Sequence, residues 1–191
     1  MPHTSARSSH YDSGAETYDH FNERKSAVIN GVLEGILKQY GVRSVLDLTC
    51  GTGSQVFWLL KCGFNVKGAD INVKMLSIAK KKAIQQAVNP GFIEGDMRTL
   101  NVGQFDAVLT IFNAVGHLTK NDFEKAMHNI NSNLKDGGLY IFDIFNLTYL
   151  LAEDNITSLT IDWQKKEGDT KTRLIQYSTI DQDGILSLIH I

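Results

Sequence analysis

The chain is poor in cysteine, nearly balanced in charge and free of long apolar runs, and each shortage removes a class of protein. Two cysteines in 191 residues are too few for a disulfide framework. Cys50 falls inside a glycine-rich turn where a disulfide would obstruct a ligand, so both thiols are expected to stay reduced, which suits the cytoplasm. A formal net charge of −2 lacks the basic excess of a phosphate-gripping protein, so nucleic acid is not an expected partner. No run of about 18 apolar residues exists to span a membrane. The opening MPHTSARSSH has no apolar core of the kind a secretory signal requires. The six histidines show no paired ligand spacing, and no structural metal is expected.

What is present is ordinary for a globular chain: 42% apolar and 21% charged residues, enough for one domain with a sizeable core. Residues 1–10 lack periodicity and are expected to form a flexible tail. From Ser26 to Tyr40 the apolar pairs Val28/Ile29, Val32/Leu33 and Ile36/Leu37 recur at helical spacing, and Gly41 ends the run. Short apolar runs then alternate with helical patterns. Strands are expected at 44–49, 65–71, 92–96, 105–112 and 138–145, and helices at 54–61, 72–88 and 121–134. This alternation predicts an α/β fold, a doubly wound and mostly parallel sheet covered on both faces. Beyond residue 146 the character changes. Three further strands, at 156–163, 171–180 and 185–191, are expected to form an antiparallel meander with turns at Gly168–Asp169 and Asp181–Gly184.

The strongest chemical signal is VLDLTCGTG, residues 45–53, where a strand runs into a turn carrying Gly51 and Gly53. Glycines allow a sharp turn and close approach of a ligand, and the turn lies where open α/β sheets bind ligands. A dinucleotide fingerprint wants a third small residue at position 56, which is Val56. Asp47, just before the turn, would sit badly with a pyrophosphate and well with a cationic ligand. S-adenosylmethionine (SAM) has a sulfonium and an amino group and no phosphate, so the turn favours it over NAD. Asp70, closing the second strand in GADI, can accept hydrogen bonds from both ribose hydroxyls, and is equally placed to cap the following helix. Asp96 and Met97, closing the third strand in EGDM, could take an adenine amino group and ring; alone, Asp96 reads as a turn residue.

In order and spacing, LDLTCGTG, GADI, EGDM, FDAVLTIFNAVGHL and KDGGLYIFD resemble the class I SAM-dependent methyltransferases over roughly residues 11–150. Thr49 departs from the glycine that many members carry there. The resemblance implies a Rossmann-like methyltransferase fold, a SAM-binding core over 44–146, N-terminal lid helices over 11–43, and an acceptor-side insertion over 147–191. It implies cofactor contacts from Asp47, Thr49, Gly51, Gly53, Asp70, Ile71, Asp96, Met97 and Ile111. YDSGAETYDHFNERKSA, residues 11–27, resembles the lid of small-molecule N-methyltransferases of the glycine/sarcosine and amino-sugar types. That likeness implies a catalytic role for Tyr11, a cofactor contact for Tyr18, and a methionine-carboxylate contact for Lys25 or Arg24.

The loop Ile111–Leu118 resembles the same branches, with Asn113 toward the acceptor and His117 as an acid–base group. An ammonium must lose a proton before it attacks a methyl, and imidazole titrates near neutrality. A purely structural histidine is the competing reading. No Asn/Asp-Pro-Pro-aromatic motif follows the fourth strand, so base and glutamine amines are not expected acceptors. Phe145 stands where glycine N-methyltransferases carry the arginine that holds glycine, which disfavours glycine and suits a more apolar acceptor. Family members continue with a helix and two further strands, which are expected to be missing if 191 residues are the whole product. The exposed edge this leaves on the fifth strand is expected to be covered by the meander or by a second copy in a homodimer. Three functions follow in order: a methyltransferase of a small-molecule amine or hydroxyl compound, a catalytically inactive SAM-binding remnant acting through association, and an NAD-dependent oxidoreductase.

Overall fold

The structure, a computed structural model, describes residues 4–146, 148, 152, 159–180 and 186–190. It divides into two compact units, Met1–Ile144 and Phe145–Ile191.

In the first unit the strands β1 (Ser44–Asp47), β2 (Asn65–Asp70), β3 (Ile93–Glu94), β4 (Phe105–Thr110) and β5 (Leu134–Phe142) form one sheet in the order β3-β2-β1-β4-β5. Every pairing is parallel. Side chains alternate across a strand, and the core divides accordingly. Val45 and Leu109 pack with Leu33 and Leu37 of α1 (Tyr18–Gln39) and with Val56 and Leu59 of α2 (Ser54–Lys61). Leu46 and Val108 pack on the opposite face with Ala126 and Ile130 of α4 (Lys120–Ser132). Burial on both faces explains why β1 and β4 read as nearly continuous apolar runs. Helix α3 (Val73–Gln85) follows β2 and adds Leu76 to the first cluster. The chain steps outward from β1 through β2 to β3, then returns to β4 on the other side of β1. That reversal opens a crevice at the carboxyl ends of β1 and β4.

Three expectations need correction. The helix read from Ser26 begins at Tyr18, because its first turns are held by polar contacts rather than apolar periodicity. The Asp19 carboxylate accepts from the Thr52 hydroxyl and pairs with Lys82 of α3. The fifth strand begins at Leu134 rather than residue 138. Phe105 pairs with Leu134 and Ala107 with Leu139, so the residues between form a bulge in which Gly137 takes a φ of +73°. The expected flexible tail is tied down from Ser5 onward. The Ser5 hydroxyl donates to Asp122 at 2.7 Å, Ala6 N–H donates to the His117 carbonyl at 2.9 Å, and Ser8–Tyr11 forms a 3-10 turn.

In the second unit β6 (Leu159–Glu167), β7 (Thr170–Ile180) and β8 (Leu186–His190) pair antiparallel in that order. Glu167 pairs with Thr170, so Gly168 and Asp169 make a two-residue hairpin with Gly168 at φ +58°. The tight turn carries β6 to Glu167, past the expected end at residue 163. The expected turn at 181–184 and the ends of the expected strands at 156–158, 185 and 191 lie outside the described residues. No helix among the described residues is long and apolar enough to cross a membrane.

Candidate active site

The crevice is roofed by residues 6–18 and floored by the turn after β1. The cleft wall includes Thr49 and Gly51 from the glycine turn, Asp70 and Ile71 after β2, and Asp96 and Met97 after β3. Ile111 and His117 line it from the β4 loop, and Tyr11 and Tyr18 from the roof. Residues far apart in the chain therefore converge because the strands carrying them end on one side of one sheet.

The floor rests on unusual backbone. Gly51 and Gly53 have φ of +53° and +90°, where a side chain is strained, and a Cβ on Gly53 would lie 2.7 Å from the Phe57 ring. Beneath them Asp47 is only 1% exposed. One of its oxygens accepts from Thr49 N–H at 3.2 Å. The other, Oδ2, and the Thr49 hydroxyl are buried with no hydrogen-bond partner among the described residues. Burial pushes the Asp47 carboxyl up to about 7, against the lowering effect of the Thr49 N–H and with a contribution from Asp70. Asp70 accepts from Gly51 N–H at 2.7 Å and Asn72 N–H at 2.8 Å, and burial still raises it above the ordinary carboxylate range.

Under the roof, the Tyr11 hydroxyl and His117 Nε2 are 3.0 Å apart. Burial, then the nearby His10, lowers His117. Burial, then Asp70, raises Tyr11. Both partners are therefore neutral around pH 7. Tyr18 stands edge-on to Tyr11 and is raised further, chiefly by burial. The loop holding His117 is strained: Phe112 and Asn113 take φ of +65° and +56° in succession. Asp143 accepts from Asn113 N–H at 3.0 Å and holds that turn.

Other expected site residues lie elsewhere. Asp47 and Gly53 support the wall without forming it, and Asn113 lies against Gly116 beside the cleft. Arg24 and Lys25 are exposed on α1 and do not line the cleft. Phe145, 51% exposed, begins the second unit. Asp96 is engaged by a neighbour: its carboxylate accepts from Arg98 Nε at 2.9 Å, and Arg98 also reaches Asp122 at 2.6 Å. Burial works to raise Asp96, and the Arg98 hydrogen bonds outweigh it and hold the carboxyl below its usual range. The wall also includes Arg7, His10, Asn72 and Arg98, which sequence reading missed. Asn72 and Arg98 left a faint signal, each two residues after a strand-end aspartate. Arg7 and His10 left none, because their segment has no periodicity. Among the described residues no cluster of three His, Cys, Asp or Glu side chains is placed to hold a metal.

Residues 45–138 match the Methyltransferase domain family. Glycine N-methyltransferase of Oryctolagus cuniculus is 34% identical over 137 residues, covering 63% of this chain and 46% of that protein. Glycine/sarcosine N-methyltransferase of Parasynechococcus marenigrum is 38% identical over 120 residues, covering 61% and 43%. The chain thus spans about half the length of the curated relatives it matches. The SAM-bound structure of CalS10, an amino pentose methyltransferase from Micromonospora echinaspora, superposes with a TM-score of 0.69 at 19% identity. That superposition covers 92% of this chain and 78% of the other, and shows a shared fold. Residues 45–138 thus belong to the methyltransferase domain family, and the relatives and the shared fold support a class I SAM-dependent methyltransferase.

Proposed function

We propose that the chain binds SAM in this cleft and methylates a small-molecule amine. The observation that carries the reading is the neutral Tyr11–His117 pair in a cleft whose floor holds two orphaned oxygens. Asp47 Oδ2 and the Thr49 hydroxyl suit a ligand with an amino group and a sulfonium, because buried polar atoms need partners and the ligand supplies donors and positive charge. Asp70 would hold the ribose hydroxyls. Ile71, Met97 and Ile111 would flank the adenine, and the Asp96 carboxylate, oriented by Arg98, would face its amino group. For the methionine carboxylate, Arg7 is better placed than Arg24 or Lys25, since it lines the cleft and has no ion pair among the described residues. When bound, the cofactor supplies a methyl group already activated by its sulfonium.

The protein's own work is orientation, exclusion of water and handling of one proton. An amine arriving as an ammonium has no lone pair to offer. The Tyr11 hydroxyl can take that proton while passing its own to His117 Nε2, which accepts it in the neutral tautomer that carries its hydrogen on Nδ1. The glycine and glycine/sarcosine N-methyltransferase relatives support nitrogen as the acceptor atom. Calorimetric titration with SAM, S-adenosylhomocysteine and NAD tests the first half. Saturable binding of the two sulfur nucleosides alone is expected. Transfer of labelled methyl to a panel of amino acids, amino sugars and hydroxyl compounds tests the second. Binding without turnover on any of them would leave the chain a cofactor-binding domain only.

A further inference from the structure

We infer that Asn72 is a latch, a positioning residue that holds the N-terminal roof across the cleft and so keeps Tyr11 over His117. The side chain is 2% exposed and its amide is fully used. Oδ1 accepts from Met75 N–H at 2.8 Å and caps α3. Nδ2 donates to the Ser8 carbonyl at 2.6 Å and to Asp12 Oδ1 at 2.9 Å. These two residues bracket the 3-10 turn that carries His10 and Tyr11. The backbone N–H of Asn72 donates to Asp70, whose other oxygen accepts from Gly51. One residue thus joins the glycine turn, the strand-end carboxylate and the roof.

A helix cap alone does not explain this choice. Serine, threonine, aspartate and asparagine all cap helices. Only asparagine among them also offers two N–H donors, and here both meet oxygens of the roof. Aspartate would keep the cap while setting its second oxygen against the Ser8 carbonyl and the Asp12 carboxylate. Lys74, 3.5 Å from Asp12, would offset only part of that repulsion. The capping and latching roles are therefore separable by substitution.

The latch is read on the ligand-free chain, so its outcome does not depend on the SAM reading; only its kinetic consequence rests on that proposal. Hydrogen exchange is compared for peptides covering residues 4–17 and 73–85. In Asn72→Asp, exchange over 4–17 is expected to accelerate roughly tenfold or more while 73–85 keeps its protection. Asn72→Ser, which caps without adding charge, should accelerate 4–17 in the same direction and guards against a variant that fails to fold. The double variant Asn72→Asp with Asp12→Asn restores a donor–acceptor pair in reversed sense and should recover part of the protection. Unchanged exchange over 4–17, or equal loss over both peptides, would reduce Asn72 to a helix cap and overturn the proposal. Should wild-type chain fail to bind SAM in the calorimeter, the cofactor reading falls and the latch result stands.

Discussion

At the scale of single residues, Asp47 works against the stability of the ligand-free fold. An unfolded aspartate titrates near 3.8, and burial moves Asp47 to about 7. Between those values the folded state holds a proton that the unfolded state has released, so stability falls as pH rises from 3.8 to 7 and is flat above. Asp47→Asn removes the charge, and the ligand-free variant should gain about 1–3 kcal/mol at pH 8 and lose affinity for SAM. Urea unfolding at pH 5 and pH 8, with calorimetry, checks both halves; a gain that is equal at the two pH values would refute the charge argument. His117 titrates in the opposite sense. Burial holds its pKa below the ordinary value of 6.5, so methyl transfer should climb with pH and level off at a lower pH than an unperturbed histidine would give. His117→Phe should lower turnover by about 10²-fold or more and leave S-adenosylhomocysteine binding within a few-fold. Equal losses in both would make His117 structural.

At the scale of elements, what could be read from the sequence followed from what each element uses to hold itself. Helices and strands with an apolar stripe were legible, because Val45, Leu46, Val108 and Leu109 must each face one of two cores. The glycine turn was legible because few residue types tolerate the φ of Gly51 and Gly53. The first turns of α1 and the roof were not. Asp19 on Thr52, Ser5 on Asp122 and Asn72 on Ser8 are polar contacts between distant segments, and polar contacts leave no period in a sequence. Arg24 and Lys25 came into view through the likeness of residues 11–27 to a lid, while Arg7, which lines the cleft, sat in a segment read as a tail. Two glycines test the distinction between required and incidental turns. Gly53→Ala forces a Cβ to within 2.7 Å of Phe57 and 3.1 Å of Phe92 at a φ of +90°, and should cost about 2–3 kcal/mol. Gly35 lies within α1 with nothing inside 4 Å, so Gly35→Ala should add about 0.5–1 kcal/mol. Denaturant unfolding of the pair gives the comparison.

At the scale of the whole molecule, the cleft-lining residues among those described fall between Ala6 and Leu118, within the unit that ends at Ile144. The roof, the glycine turn, the strand-end acids and the Tyr11–His117 pair thus come from one compact body. Phe145, expected from the family likeness to stand on the acceptor side, belongs to the other unit. If cofactor affinity is a property of the cleft alone, a chain ending at residue 144 should bind S-adenosylhomocysteine within about threefold of the full chain. At a hundred times its Kd the ligand should then stabilise either chain by about 2.7 kcal/mol. Strand β5 is paired only with β4 among the described residues, and an edge of this kind invites self-association. Calorimetry must therefore be run alongside sedimentation. A monomeric, folded short chain that no longer binds would show that the second unit contributes to cofactor affinity. Retained binding with lost methyl transfer would instead assign the second unit to the acceptor, and would make its strands the place to look for what selects the amine.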